Sequence, residues 1–159
     1  MRKLTREEAV LLRGRAMDLF KEGYNCAQAV ALAFADYVPM EKETLAALSS
    51  SFGGGMGRLR EVCGAVSGMF MICGLRKGYT GPETGPAKAE HYARIQEMAA
   101  AFREKNGTII CRELLGLDHP QDPPVPAKRN EHFYQTRPCA ELVGDAAEIA
   151  ALYLAEEDE

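Results

Sequence analysis

Phe52-Gly53-Gly54-Gly55-Met56-Gly57-Arg58-Leu59-Arg60-Glu61-Val62-Cys63-Gly64-Ala65-Val66-Ser67-Gly68-Met69-Phe70-Met71-Ile72-Cys73-Gly74-Leu75 is the stretch on which the reading of this chain turns. A glycine-dense loop runs into an apolar segment of small residues. Gly64 and Gly68 are four apart, so on a helix they share one face. Glycine in a helix interior costs about 1 kcal/mol relative to alanine. Two on one face therefore predict a neighbour held close to bare backbone, either another helix or a cofactor. A nucleotide cradle is the wrong reading of the loop. The glycines fail the G-x-G-x-x-G spacing, no strand precedes them, and no Gly-Lys-Ser/Thr follows. The simplest role is a hinge between helices. A second role is to let backbone N–H groups approach an anionic centre. Gly54, Gly55, Gly64 and Gly68 are the positions where a cofactor would meet backbone without a side chain between.

Working outward, helix signals dominate on both sides. Thr5 and Glu8 form a capping box that starts a helix at Arg6, with Leu12, Ala16, Leu19 and Phe20 as its apolar face and Gly23 as its stop. Asn25 and Gln28 form a second capping box, opening a helix from Cys26 to about Tyr37 that Pro39 ends. Lys42 to Ser51 reads as a third helix and Leu59 to Leu75 as a fourth. Tyr79 to Pro86 is a loop with Thr80-Gly81-Pro82 and Thr84-Gly85-Pro86 turns. Pro86 serves at N1 of a fifth helix to about Lys105, with Ala89, Tyr92, Ala93, Gln96, Ala99, Ala100 and Phe102 marking its turns. Thr108 caps a short helix from Ile109 to Leu115. The segment from Asp118 to Pro126 holds four prolines and is extended. A last helix runs from near Pro138 to about Ala155, burying Leu142, Ala146, Ile149, Leu152 and Tyr153, and leaves the acidic tail Glu156 to Glu159 frayed. No segment alternates with period two. The expectation is an all-α, single-domain helical bundle of five to six helices over residues 1–159.

Composition excludes several function classes. Of 159 residues, 47% are hydrophobic and 26% charged, ordinary values for a globular protein. A formal charge of −4 and no basic run argue against a nucleic-acid surface. No apolar run is long enough for membrane insertion. The polar, acidic start of the chain does not resemble a signal peptide, so the expected location is cytoplasmic. In a reducing compartment five cysteines point to metal or redox chemistry and not to a disulfide framework.

The cysteines are Cys26, Cys63, Cys73, Cys111 and Cys139. None forms C-x-x-C, and none forms the C-x-x-C-H of covalent haem. Singly, each is a small core residue. By position three of them stand out. Cys26, Cys111 and Cys139 fall in predicted first helical turns, where unpaired N–H groups and the helix dipole favour a thiolate. Cys63 comes early in the fourth helix. Cys73, between Ile72 and Gly74, is the plain core residue. Arg58, Arg60, Arg112 and Arg137 each lie within five residues of a cysteine and would favour thiolate further. His91, His119 and His132 have no paired ligand spacing.

Cys26, Phe52 to Gly57, Cys63-Gly64-Ala65-Val66-Ser67-Gly68, Cys111 and Cys139 together resemble the C_GCAxxG_C_C family of proteins described as redox-active, which is related in sequence to a domain of split-Soret cytochromes. The resemblance spans about Tyr24 to Ile149. It implies that Cys26, Cys63, Cys111 and Cys139 are the functional cysteines, as redox thiols or metal ligands. It also implies an iron–sulfur cluster as the candidate cofactor. Haem is not carried over, because the haem-binding motifs are absent, and no nucleotide is expected.

The leading expectation is thus an electron-transfer protein built on these four cysteines, with four thiolates holding an iron–sulfur cluster. A cofactor-free thiol/disulfide protein is the alternative, and a helical module with one structural zinc is a third. In each case the four thiols are expected to converge. The expected partner is another redox protein or molecule, and the reading admits a homodimer.

Overall fold

The computed structural model describes residues 1–82 and 85–158. Thr84 of the second Thr-Gly-Pro turn and Glu159 of the acidic tail fall outside them. The described chain is all-α. Its helices are α1 (Ala9–Lys21), α2 (Cys26–Ala33), α3 (Lys42–Ser50), α4 (Gly64–Lys77), α5 (Pro86–Asn106), α6 (Cys111–Leu114), α7 (Glu131–Thr136) and α8 (Cys139–Asp158). That is eight where five to six were expected. α6 was expected over Ile109 to Leu115 and is only four residues long, and α7 lies between the proline segment and the last helix, where no element was expected. No strand forms among the described residues; Val62 and Ile110 make one isolated antiparallel bridge.

Both expected capping boxes form. Thr5 and Glu8 open a single 3-10 turn, Arg6–Glu8, that feeds α1. The Asn25 side chain accepts from Gln28 N at 2.9 Å, and Gln28 Oε1 accepts from Asn25 N at 3.2 Å, which fixes the start of α2 at Cys26. α2 is shorter than expected: it ends at Ala33 and passes through a 3-10 turn, Ala35–Tyr37.

α8 is the central element. It packs on α1, α2, α4 and α5, and Val143, Ala146, Ala147, Ala150 and Ala151 are fully buried along it. So many alanines keep side chains short and let several helices approach one axis. Arg13 of α1 crosses to α8, donating to Asp145 at 2.6 Å and Glu141 at 2.7 Å, and Lys105 of α5 reaches the same Asp145 at 3.1 Å. These cations hold the Asp145 carboxyl below the usual carboxylate range despite its burial. On α5 the expected stripe is corrected. Tyr92, Ala93, Gln96 and Ala100 are exposed, and the buried residues are Met98, Ala99 and Phe102, with Ile95 partly covered. Those four follow i, i+3, i+4, i+7 and face the core only along the C-terminal half of the helix.

The largest revision concerns the stretch read as the fourth helix. α4 begins at Gly64, not Leu59. Before it lies a left-handed turn, in which Gly54, Gly55, Met56, Gly57 and Arg58 have φ of 68°, 69°, 70°, 65° and 66°. Left-handed backbone is open to glycine and costs an L-residue roughly 1–2 kcal/mol. The glycine cluster therefore reverses the hand of the chain, and does so in place of a slack hinge.

Gly64 and Gly68 do face a close neighbour, and it is α2. A Cβ on Gly68 would lie 2.8 Å from Ala27 O and 3.0 Å from Val30 Cβ; one on Gly64 would lie 2.9 Å from Phe52 O and 3.1 Å from Cys26 Cβ. Backbone on both sides leaves no room to yield. Gly68→Leu is accordingly expected to destabilise the fold by about 1–3 kcal/mol, read as a lower denaturant midpoint in chemical unfolding; an unchanged midpoint would contradict this packing.

Candidate functional site

Four helix starts meet at one end of the molecule. Cys26, Cys111 and Cys139 are the first residues of α2, α6 and α8, and Cys63 is the N-cap of α4. The residue-by-residue reason is visible in the backbone. Gly64 brings Cys63 beside Cys26 by the contact just described. The Val62–Ile110 bridge aligns the next pair, with Cys63 N donating to Ile109 O at 2.8 Å and Cys111 N to Glu61 O at 2.6 Å. Gly55 of the left-handed turn leaves space for Cys111, whose Cβ would be 2.6 Å from any Cβ on that glycine. Cys139 closes the group beside Cys26: the two line one cavity and shift each other's ionisation.

Each of the six pairs among these cysteines is close enough for one sulfur's charge to act on the other. None is in a disulfide. Cys73 stands apart: it is fully buried within the hydrophobic core of α4. Of the glycines expected to meet a cofactor, Gly64 and Gly68 meet α2, Gly55 meets Cys111 and the Arg60–Glu61 backbone, and Gly54 lines a cavity.

The four thiols are not equivalent. Cys139 is drawn down to about 7, first by the hydrogen bond from Cys26, against the opposing effect of burial, and then by the charges of Arg137, Arg129 and Arg60. Its place at the start of the 20-residue α8 acts in the same direction. Cys26 is pushed well up by the same hydrogen bond and by burial, and so stays a thiol. Burial pushes Cys63 up to about 12. The amides of Val66 and Ala65 oppose that shift without forming a hydrogen-bonded cap. Burial also raises Cys111, and Arg60, whose Nη1 donates to its sulfur at 3.6 Å, pulls the other way.

Arg60 is only 5% exposed. Its Nε donates to Asp122 at 2.7 Å. Arg58 donates to Pro123 O at 2.8 Å and accepts from Asp122 N through its own carbonyl at 3.0 Å. The proline-bearing segment from Asp118 to Pro126, expected to be extended, forms neither helix nor strand but bends at 118–120 and again at 124–125, and these bonds strap it across the glycine turn. Arg129 was not singled out by the sequence. It donates to Phe20 O at 2.8 Å and Tyr24 O at 3.0 Å, with its guanidinium 4.0 Å above the Phe20 ring and 5.0 Å from that of Phe133. Ten residues separate it from Cys139, and no motif marks it. Arg112, which was singled out, pairs with Glu61 at 3.2 Å and supports the Arg60 carbonyl.

As placed, no three His, Cys, Asp or Glu side chains among the described residues are grouped as a metal ion would require. No described helix is long and apolar enough to cross a membrane.

The family model described as "Putative redox-active protein (C_GCAxxG_C_C)" matches residues 24–153. The chain belongs to that family. Neither a curated protein nor a solved structure matches it.

The asymmetry among the thiols has a direct readout. With the protein folded, alkylation of Cys139 should follow a titration with midpoint about 7, below the roughly 8.5 of a free thiol. Between those values Cys139 is a thiolate only in the folded chain, so urea should move the midpoint up. Cys26→Ala, which removes the donor, should do the same. Cys63 should resist the reagent until far higher pH. Equal rates at all four positions would contradict the assignment.

Proposed function

We propose that the protein is a thiol–disulfide redox protein in which Cys139 is the attacking thiolate and Cys26 the thiol that resolves the mixed disulfide. The observation that carries this reading is that Cys26 and Cys139 line one cavity together with Arg58, Arg60, Arg129 and Arg137. An attacking thiol works best when its pKa lies near the ambient pH, since lower values sacrifice nucleophilicity and higher ones leave too little thiolate. Cys139, at about 7, meets that condition.

The exchange balances as follows. The Cys139 thiolate attacks one sulfur of an oxidised disulfide, the partner's S–S bond breaks, and its first thiolate departs. Cys26 then gives up its proton to the departed first thiolate and attacks the Cys139 sulfur. A Cys26–Cys139 disulfide forms and the second thiolate leaves. Two electrons pass from the two cysteines to the disulfide, and the reverse sequence reduces the protein. Before the first attack Arg129 and Arg137 favour the Cys139 thiolate by their charge.

An iron–sulfur cluster on Cys26, Cys63, Cys111 and Cys139 is a second reading, favoured by their mutual electrostatic reach. The sulfurs as placed are not grouped as metal ligands, so no step is routed through a cluster or through a structural zinc.

Mild oxidation followed by peptide mapping tests the proposal. A Cys26–Cys139 disulfide is expected as the main product. Cys26→Ser should stop at a mixed disulfide on Cys139, Cys139→Ser should abolish turnover, and Cys73→Ala should leave both steps intact. A main disulfide that excludes Cys139 would refute the assignment. Stoichiometric iron and sulfide after anaerobic purification, lost in any of the four single Cys→Ser variants, would put the cluster in its place.

A further inference from the structure

The cavity beside Cys26 and Cys139 has a volume of about 200 Å³, below the roughly 300–1,000 Å³ of a typical ligand cleft. Its occupant is therefore a small molecule or the tip of one. Four arginines line it: Arg58, Arg60, Arg129 and Arg137. No carboxylate does so among the described residues. Asp122 answers Arg60 at 2.7 Å and Arg58 at 3.8 Å from just outside. Arg129 donates to the Phe20 and Tyr24 carbonyls and lies over the Phe20 and Phe133 rings, and Arg137 stands 5.9 Å over the Phe133 ring. Neither of these two pairs with a carboxylate among the described residues. Two guanidinium charges thus face a partly enclosed space beside the sulfur of Cys139, with Phe20 and Phe133 supplying an apolar wall. Cations focused in such a cleft raise the local concentration of anions, and a guanidinium fork suits a carboxylate.

We propose that the oxidant taken by this site is a small disulfide bearing a carboxylate, held at its anionic end by Arg129 and Arg137 while its sulfur meets Cys139. This inference rests on the thiol-exchange reading above and names the substrate class for it. The bonds made and broken are those already given. The carboxylate takes no part in them; it positions the S–S bond.

The test has two arms. In the first, the reduced protein is mixed with three symmetric disulfides of similar length: 3,3′-dithiodipropionate, which is anionic; bis(2-hydroxyethyl) disulfide, which is neutral; and cystamine, which is cationic. Each rate is divided by the rate of the same disulfide with a small neutral thiol, which removes leaving-group effects. The dicarboxylate is expected to lead the neutral compound by about tenfold or more at low salt, with cystamine slowest. Arg137→Gln should flatten the order and Arg137→Lys should retain most of it, with far-UV spectra confirming that both variants fold. In the second arm, octanedioate, a dicarboxylate of the same length with no S–S bond, is titrated into the Cys26→Ser/Cys139→Ser protein. Saturable binding that weakens when Arg137→Gln is added supports the cavity independently of any redox step. Exchange with no charge preference and no octanedioate binding would overturn the inference and leave the exchange reading standing. Octanedioate binding with no oxidation by any of the three would overturn the substrate assignment through failure of the exchange reading itself. Rates unaltered in a folded Arg137→Gln protein would overturn the role given to that residue.

Discussion

The contact between α4 and α2 governs this structure. Gly64 and Gly68 carry no Cβ, so the α4 backbone lies directly on the Ala27 carbonyl and the Val30 side chain. A helix pair held at ordinary distance by larger side chains would separate the start of α4 from the start of α2. Cys63 and Cys26 occupy those two starts. The glycine penalty inside α4 is thus the cost of bringing two helix N-termini, and the thiols on them, to one place. α8 can join because its buried face is built from alanine, which admits α1, α2, α4 and α5 around one rod.

A second constraint sits just before α4. Five consecutive residues of the glycine turn have positive φ, and Arg60 follows at 59°. Three of the six, Met56, Arg58 and Arg60, are not glycine. Each holds a strained backbone at roughly 1–3 kcal/mol. Such residues persist only where their surroundings fix them from several sides. For Arg60 those surroundings are Asp122, Cys111 and the two Arg112 donors on its carbonyl. For Arg58 they are Pro123 and the Asp122 amide. The reversed hand aims Arg58 and Arg60 back into the space between the glycine turn and the starts of α2 and α8. A right-handed helix from Leu59, as the sequence suggested, would carry Arg60 along it and away from that space.

Local chemistry made much of this legible from the sequence. Capping boxes fix helix starts through bonds between residues three apart, so Thr5, Asn25 and the cysteine that follows Asn25 were placed correctly without tertiary knowledge. Gly64 and Gly68 announced a close neighbour for the same reason, as their cost is intrinsic to the helix. Tertiary context decided the rest. Residues 59–63 contain no glycine or proline to break a helix, but the Val62–Ile110 bridge takes their backbone donors and acceptors elsewhere. α7 is held by Phe133 and Tyr134 against Phe20, more than a hundred residues away, so its own six residues carried little signal. Arg129 acts through the carbonyls that end α1, and nothing near it in sequence reveals that.

Four thiols in mutual electrostatic reach raise the question of how their repulsion is met. At neutral pH the structure meets it by protonation. Burial keeps Cys63 neutral up to about 12, burial and its donated hydrogen bond keep Cys26 neutral, and burial also favours the thiol form of Cys111. Only Cys139 is poised to ionise, and it does so where the Cys26 proton, the α8 dipole and three arginines converge. A single thiolate against that many cations leaves the end of the bundle net positive. The same geometry that singles out one nucleophile therefore leaves cationic charge unanswered beside it, on Arg129 and Arg137. Oxidising Cys139 would remove the one negative charge and strengthen that excess, so the attraction for an anion should be greatest in the oxidised protein. A carboxylate-bearing thiol produced by exchange would then leave against this pull, and its release, more than the sulfur chemistry, would be sensitive to salt.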